Sequence, residues 1–239
     1  MKDRTPSEIK KISRGVVRGM IQHYQEKMFN GFLPMQKYRR FLLSRVCFDE
    51  CEHVLRDALK EGKGVIIATG HYGALELLPL YLGVKKFNTA IVAKFTSERL
   101  KSITLPRAEE AEVDIMVPGD VSVFGEACKA LRQNKVFVIQ CDETEAWHAD
   151  RKHTMQFLGE RIHPDRMLKV LCQRTGAVLL LGLLQREGKK RYKLLLHRVP
   201  CEGDVPINVR TLKLLESYIY QHPDQWYEWK KFGRFARAS

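Results

Sequence analysis

No stretch of this 239-residue sequence is long and apolar enough to predict a membrane-spanning helix. The longest apolar region, from Gly64 to Val84, carries His71 and Glu76 at its centre. Burying both ionisable groups in lipid would cost several kcal/mol, so this region is predicted to contain a strand, a loop and a helix. The N-terminus is charged and leads into no compact apolar segment, which argues against a secretory signal.

Paired cysteine motifs are also missing. The cysteines stand at positions 47, 51, 128, 141, 172 and 201, and no two of them form a C-x-x-C pair. Their spacing fits no zinc template, and neither does the spacing of the histidines at 148, 153 and 163. We therefore predict reduced, buried thiols, a cytoplasmic location, no bound metal and no cofactor.

Acidic residues are too few to balance the basic ones. The chain has 28 acidic and 41 basic residues, which gives a net charge of +13. Such a surface favours a polyanionic partner, which is nucleic acid, anionic lipid headgroups or an acidic carrier protein. Hydrophobic residues make up 44% of the chain, enough to exclude a disordered protein. Charge alone does not choose among the three partners.

The N-terminal segment has the pattern of an amphipathic helix. Thr5-Pro6-Ser7-Glu8 is typical of a capping box with proline at the first helical position. Apolar residues then recur at helical spacing and lysines and arginines lie between them. Two interpretations stay open: a helix on an anionic membrane surface, and a helix packed on the domain with solvated lysines. A second helical region is predicted from Met35 to Lys60.

Beyond residue 60, strands and helices alternate. Short apolar runs predict buried strands at Val65–Ala68, Ala90–Ala93, Val113–Val117, Val136–Gln140, Val178–Leu184 and Tyr192–His197. Helices are predicted at Ala74–Leu82, Ser122–Arg132, Asp165–Thr175 and Asn208–Gln221. This alternation predicts a single α/β domain over residues 1–239 with a mainly parallel central sheet flanked by helices. Residues 1–60 form its helical N-terminal part and residues 61–239 its α/β core.

The segment Thr69-Gly70-His71-Tyr72-Gly73-Ala74-Leu75-Glu76 is the most informative in the chain. It follows a buried strand, and active sites in open α/β sheets gather at the carboxyl ends of strands. On one continuous helix, His71 and Glu76 would point about 140° apart. They meet only if His71 lies in the glycine-flanked loop and Glu76 in the helix. His71 would then be a general base with Glu76 as its partner, beside a pocket for a hydrocarbon tail.

Further blocks of the sequence carry a resemblance to a known family. The segment from Gly62 to Glu76 resembles the first block of the late acyltransferases of bacterial lipid A biosynthesis, within the lysophospholipid acyltransferase superfamily, whose mark is a His, four residues, then Asp or Glu. Four later blocks follow in the family's order: Ala130 to Ile139 with Asp142, Phe157-Leu158-Gly159, Arg174 to Val178, and His222 to Trp229. The likeness covers about residues 10 to 235.

The resemblance implies a glycerol-3-phosphate acyltransferase-like fold, with His71 as base and Glu76 as partner. It also implies an acyl carrier protein or coenzyme A thioester as donor, and as acceptor a membrane lipid or glycolipid such as a lipid A precursor. The N-terminal transmembrane anchor usual in the family has no counterpart here, so we predict peripheral contact with the anionic inner membrane surface from the cytoplasm. Two further departures, the block from Ala93 to Arg99 and the Glu143 after Asp142, leave the acceptor open.

Several other residues are candidates for binding. The predicted substrate-binding residues are Gly73, Lys94, Arg99, Asp142 and Gly159. Lys94, Arg99 and Arg107 would match a phosphate, with solvated surface charge as the alternative. Asp142 would orient a substrate hydroxyl or cap the next helix. The aromatic and basic C-terminal run from Trp226 to Arg237 suits a membrane interface or single-stranded nucleic acid, and packing of its tryptophans on the core is the alternative.

A second function stays open at this point: a non-catalytic protein on a relic of the acyltransferase fold that binds lipid or nucleic acid. No recognised nucleic-acid-binding module is present in the sequence. We therefore expect no nucleic-acid partner.

Overall fold

The computed structural model describes residues 5–143, 153–188 and 191–229. The described residues form a central sheet of seven strands: β1 (Val46–Cys47), β2 (Val65–Thr69), β3 (Thr89–Val92), β4 (Val113–Met116), β5 (Val136–Gln140), β8 (Val178–Glu187) and β9 (Arg191–Arg198). Their order in the sheet is β1-β9-β8-β2-β5-β3-β4. All neighbouring strands of this sheet are parallel except β8 and β9, which pair antiparallel. The short strands β6 (Met155–Phe157) and β7 (Glu160–Ile162) form a separate hairpin.

Helices cover both faces of the sheet. They are α1 (Pro6–Phe32), α2 (Met35–Arg45), α3 (Glu52–Lys60), α4 (Leu78–Val84), α5 (Glu98–Glu110), α6 (Val123–Arg132), α7 (Met167–Thr175) and α8 (Ile207–Gln221), with a 3₁₀ turn at Leu75–Leu77. Val65 and Ile67 of β2 face one apolar core, and Ile66 and Ala68 face the other. Both sides of β2 are therefore buried, as its continuous apolar run requires. Among the described residues, no helix combines the length and hydrophobicity that crossing a bilayer requires.

Helix α1 is held in place by contacts with β8 and with the segment that follows α8. Glu26 accepts two hydrogen bonds of 2.7 Å from the guanidinium of Arg186 on β8, and both side chains are buried. A Cβ at Gly19 would lie 1.9 Å from the carbonyl oxygen of Asp224, so only glycine permits this close approach. His23 stacks on Tyr227 with a ring separation of 3.8 Å. Together these contacts fix which face of α1 points inward.

Most of the elements predicted from the sequence are confirmed. The capping box at Thr5 is formed, and Gly176 ends α7 in the left-handed conformation. The predicted helical region from Met35 to Lys60 is instead two helices separated by β1, and the helix predicted from Ala74 begins as a 3₁₀ turn. Helix α5 and the β6–β7 hairpin were not predicted, since Pro106 interrupts the pattern of α5 and the hairpin strands are only three residues long.

All six cysteines are free thiols, but the prediction that they are buried is only partly confirmed. Cys128, Cys141 and Cys172 are buried, whereas Cys47 and Cys201 are exposed.

Candidate active site

Two neighbouring parallel strands bring the central residues of the site together. Strands β2 and β5 pair in register, with Thr69 opposite Gln140. The amide of Cys141 donates to the carbonyl of Thr69 at 2.7 Å, which extends the pairing by one step. The chain therefore leaves both strands at the same edge of the sheet. His71 and Asp142, each two residues beyond its strand, meet there.

The Asp142 carboxylate binds His71 twice. Its Oδ1 lies 2.8 Å from the imidazole Nδ1, and its Oδ2 accepts the His71 backbone N–H at 2.8 Å. The Asp142 side chain is 0% exposed and the His71 side chain is 13% exposed. A Cβ at Gly70 would lie 2.6 Å from Leu215 and 3.1 Å from the same carboxylate, so glycine at this position leaves room for the contact.

A segment from the far end of the sequence holds this pair in place. The indole N–H of Trp226 donates to Asp142 Oδ2 at 2.8 Å. The backbone N–H of Tyr227 donates to the carbonyl of His71 at 3.1 Å, and the Tyr227 ring meets the imidazole edge-on at 5.4 Å. The imidazole is thus fixed by a carboxylate at one nitrogen and by an aromatic ring beside it.

The other imidazole nitrogen points to a second carboxylate. Nε2 of His71 lies 3.4 Å from Oε1 of Glu143. Burial disfavours protonation of the imidazole, but the charge of Asp142 and the hydrogen bonds to Asp142 and Glu143 outweigh it and raise the pKa of His71 to about 10. The imidazolium in turn holds the pKa of Asp142 below its usual range, against the effect of that carboxylate's own burial. In this state His71 carries a proton at neutral pH.

A family model provides independent information on the chain. The model of the bacterial lipid A biosynthesis acyltransferases matches residues 11–231. The chain belongs to this family. It is therefore an acyltransferase, and its activity requires an acyl donor and a lipid acceptor. A comparison with curated proteins gave no match.

In this acyltransferase, the carboxylate predicted to face His71 is directed elsewhere. Oε1 of Glu76 lies 3.6 Å from Nζ of Lys27 and 3.8 Å from Nε2 of His23, both on α1. The two nitrogens of His71 face Asp142 and Glu143 instead. The expected contact of His71 with Glu76 is thus corrected: the 3₁₀ turn directs Glu76 toward α1 rather than back toward the loop.

Glu76 is nevertheless connected to the site through two intervening rings. His23, which neighbours Glu76, stacks on Tyr227, and Tyr227 contacts His71. Desolvation, together with the charges of Lys27, Arg186 and His71, lowers the pKa of His23 to about 4. His23 is therefore neutral at physiological pH, and its contact with Glu76 is that of a neutral ring rather than an ion pair.

The predicted substrate-binding residues are distributed unevenly around the site. Asp142 lies at its centre, buried beneath His71 and Trp226. Lys94 is exposed two residues beyond β3, whose carboxyl end lies at the same edge of the sheet as β2 and β5. Arg99 is exposed in the first turn of α5. Gly159 forms the turn of the β6–β7 hairpin at a φ of +90°, near Phe157, which packs on Trp226 at 6.2 Å.

Arg107, a phosphate-binding candidate from the sequence, and Cys141, which lies beside Asp142, have structural roles. Arg107 donates to the carbonyl of Leu33 at 2.8 Å and lies over the ring of Tyr38, so it links α5 to α2 rather than presenting itself to a phosphate. Cys141 is buried, and desolvation raises the pKa of its thiol well above the usual value. A thiolate nucleophile at this position is therefore disfavoured.

The tryptophans of the C-terminal run belong to the core. Trp226 is 2% exposed, and Trp229 packs against it at 4.9 Å. The basic and aromatic residues from 230 onward lie outside the described residues, as does the histidine at 148. A cavity of about 390 Å³ lies between α1, α2 and the β8–β9 pair, and its lining includes neither His71 nor Asp142. The pocket expected beside His71 is thus not this cavity.

Gly73 has a strict steric requirement, which predicts a large loss of stability on substitution. Its φ is +61°, and a Cβ there would lie 2.0 Å from the carbonyl oxygen of Leu184. We expect Gly73→Ala to lower the free energy of unfolding by about 2–5 kcal/mol, through backbone strain and overpacking combined. Thermal unfolding measures this. Gly62→Ala is the matched control, because Gly62 has a φ of +71° with nothing within 4 Å of the new Cβ; it should cost only about 1 kcal/mol. Equal losses in the two variants would contradict the steric explanation.

Proposed function

We propose that this acyltransferase moves a fatty acyl group from a thioester of acyl carrier protein or coenzyme A to a hydroxyl of a membrane lipid or glycolipid, with a lipid A precursor as the leading candidate acceptor. The observation that carries the proposal is the buried Asp142 bound to Nδ1 of His71, which leaves Nε2 on the other side of the ring, 3.4 Å from Glu143. Family membership provides the reaction class. The residues provide a mechanism for it.

In the proposed reaction, neutral His71 accepts the proton of the acceptor hydroxyl at Nε2 while the oxygen attacks the thioester carbonyl. Asp142 holds the proton on Nδ1, so that the free lone pair is on Nε2, and it stabilises the imidazolium that forms. The tetrahedral intermediate then collapses, the C–S bond breaks, and the leaving thiolate takes the proton back from the imidazolium. No acyl-enzyme intermediate is needed.

Glu76 then has an indirect role. Its carboxylate holds Lys27 and contacts His23, and His23 supports the Tyr227 ring against the imidazole. We propose Glu76 as a positioning residue of the site, with Lys27 placed to meet an anionic group of a substrate. Lys94 and Arg99, exposed at the same edge of the sheet, are proposed to bind phosphate on the donor or acceptor. Gly73 and Gly159 would shape the backbone around the substrate.

The proposal is tested by supplying the purified protein with acyl carrier protein and coenzyme A thioesters of several chain lengths, together with lipid extracted from a bacterial inner membrane. Mass spectrometry should show one lipid class that gains an acyl chain through an ester, with release of the free thiol. The same lipid should lose that chain in cells without the protein. If none of the thioesters is consumed and the lipids of both cell types are identical, the proposal fails.

The contact of Glu143 with His71 predicts how the rate of acyl transfer depends on pH. Because only neutral His71 accepts a proton, and its pKa is raised to about 10, the transfer rate should rise with pH from 7 toward 10. Glu143→Gln removes one carboxylate that favours the imidazolium, so the pKa of His71 should fall. Each unit of that fall makes about ten times more neutral imidazole at pH 7, partly offset because a weaker base accepts the proton more slowly.

Initial rates measured between pH 6 and 10, corrected for spontaneous thioester hydrolysis, should therefore show a profile displaced to lower pH in Glu143→Gln. Glu112→Gln is the control, since Glu112 is exposed and pairs with Lys86 far from the site. A profile of Glu143→Gln that coincides with that of the wild type would refute a contact of Glu143 with the base.

A further inference from the structure

The outer face of α1 carries a stripe of exposed apolar side chains. Five large residues on it are between 54% and 67% exposed, and they follow one another at intervals of three or four residues: Val17, Ile21, Tyr24, Met28 and Phe32. Residues at such intervals share one side of a helix. Contiguous apolar surface of this kind marks an interaction site on a folded protein, whereas single exposed apolar residues do not.

The structure fixes this stripe on the outside. Gly19, His23 and Glu26, the buried residues of α1, contact Asp224, Tyr227 and Arg186. They lie on the opposite side of the helix from the stripe, because each residue turns the helix by about 100°. Rotating α1 to bury the stripe would break the bidentate Glu26–Arg186 pair and leave both charges buried without partners. The apolar face is therefore a stable feature of the fold.

The same outer face is basic in its first turns. Lys10 and Arg14 continue the line of the stripe toward the N-terminus, and Lys11 and Arg18 lie beside it; all four are exposed. The acidic residues of α1 are Glu8, which caps the helix start, and Glu26, which is buried against Arg186. Two more exposed arginines, Arg45 and Arg191, line the cavity that borders Phe29 of α1.

We propose that the outer face of α1 docks on an anionic lipid bilayer, with its apolar stripe between the headgroups and its basic residues on the lipid phosphates. Cations beside apolar side chains are the pattern of helices that lie in the bilayer interface. A second copy of the chain would bring two basic faces together and is disfavoured by charge. A nucleic acid would use the cations but gain little from Val17, Ile21 and Met28.

Docking in this orientation would bring the site close to the lipid. Lys27 lies on the flank of α1 between the stripe and the buried face, and Asn30 lies on the buried side; both contact Glu76 beside the site. An α-helix with its side chains is about 10 Å wide, so a bilayer on one side of α1 would lie within about one helix width of Glu76. The role of this surface in delivering an acceptor rests on the proposed function, but the docking itself does not.

The test is co-sedimentation of the protein with vesicles, in the absence of donor and acceptor. We expect binding to phosphatidylglycerol vesicles and much weaker binding to phosphatidylcholine vesicles. The triple variant Val17→Ser, Ile21→Ser and Met28→Ser should lose about tenfold in affinity for each side chain. Arg14→Gln and Arg18→Gln should each lose about fivefold on the anionic vesicles only. The matched control is the triple variant Val121→Ser, Val205→Ser and Tyr220→Ser, at exposed positions outside α1, which should bind like the wild type.

Three outcomes would overturn the proposal. The stripe variant would bind the anionic vesicles as well as the wild type does. Alternatively, the wild type would form a dimer in sedimentation experiments, the stripe variant would be monomeric, and neither would bind vesicles. Finally, a single-stranded oligonucleotide would bind the wild type and the stripe variant equally while vesicles bind neither. Since no step of the test uses acyl transfer, failure of the docking is distinguishable from failure of the proposed reaction.

Discussion

His71→Ala is expected to abolish acyl transfer, with a loss of about 10³-fold or more in kcat, because the variant loses Nε2, the proposed proton acceptor. A positioned general base contributes about 10²–10⁴-fold. KM for the donor should change little, because the substitution removes a group that acts in the transition state rather than in binding. The rate is measured as thiol release from the acyl thioester in the presence of lipid acceptor.

The fold should survive this substitution. The Asp142 carboxylate keeps its hydrogen bonds from the backbone N–H at position 71 and from Trp226, so no buried charge loses all of its partners. His197→Ala is the matched control: His197 is partly buried on β9, contacts Tyr218 and should retain the wild-type rate. Undiminished transfer by His71→Ala would exclude the base role, whereas a loss of the native circular dichroism spectrum would call for the milder variant His71→Gln.

The sheet could be predicted from the sequence because its strands are buried on both faces. A parallel strand such as β2 must be apolar throughout, and that continuous run is visible without any knowledge of its neighbours. Helix α7 was similarly visible, since Gly176 supplies the left-handed residue that ends it. Both the apolar run and the terminal glycine are local features, so they can be recognised from the sequence without knowledge of the neighbouring elements.

The carboxylate partner of His71 could not be found in the same way. Asp142 is 71 positions away, and the contact depends on β5 lying next to β2 in the sheet. The sequence does not reveal this strand order. Along the chain β3 follows β2, but in the sheet β5 lies between β2 and β3. The spacing of His71 and Glu76 instead suggested a local pair, and the 3₁₀ turn at Leu75–Leu77 directs Glu76 to α1.

Trp226 and Tyr227 were missed for a related reason. Their aromatic and basic surroundings favoured a membrane interface or core packing, and nothing in the spacing pointed to a hydrogen bond with Asp142. A signal was present only for the central pair: His71 and Asp142 each follow a buried strand by two residues. Because the carboxyl ends of parallel strands meet at one edge of a sheet, a contact between His71 and Asp142 was compatible with the sequence before the structure was known.

Comparing Asp142→Asn with Glu76→Gln should show which of the two carboxylates is the partner of His71. The amide retains the shape of the side chain, but it can present an N–H to Nδ1 and so stabilise the tautomer that carries the proton on Nε2. The fraction of His71 able to accept a proton then falls, and we expect a loss of about 10²–10⁴-fold in kcat. Glu76→Gln should lose less than about tenfold, because it disturbs a partly exposed contact with Lys27.

A stability measurement distinguishes this explanation from simple damage to the site. The pKa of His71 is raised above its unfolded value of 6.5 to about 10, so its pairing stabilises the fold fully below pH 6.5 and is lost as the pH rises through about 10. The pKa of Asp142 is lowered below 3.8, so its contribution is present above that pH and is lost on acidification. Both contributions are complete between about pH 4 and 6.5.

Asp142→Asn should therefore destabilise the fold most in that range, and its difference from the wild type should shrink toward pH 10. Glu76→Gln should show no such trend. The double variant should be close to additive in activity if the two carboxylates act separately. Should Glu76→Gln instead remove transfer while Asp142→Asn retains it, the partner of the base would have to be Glu76, reached by a rearrangement of the loop when substrate binds. The two single variants are nearly isosteric with the wild type, so the comparison depends on charge and hydrogen bonding rather than on packing.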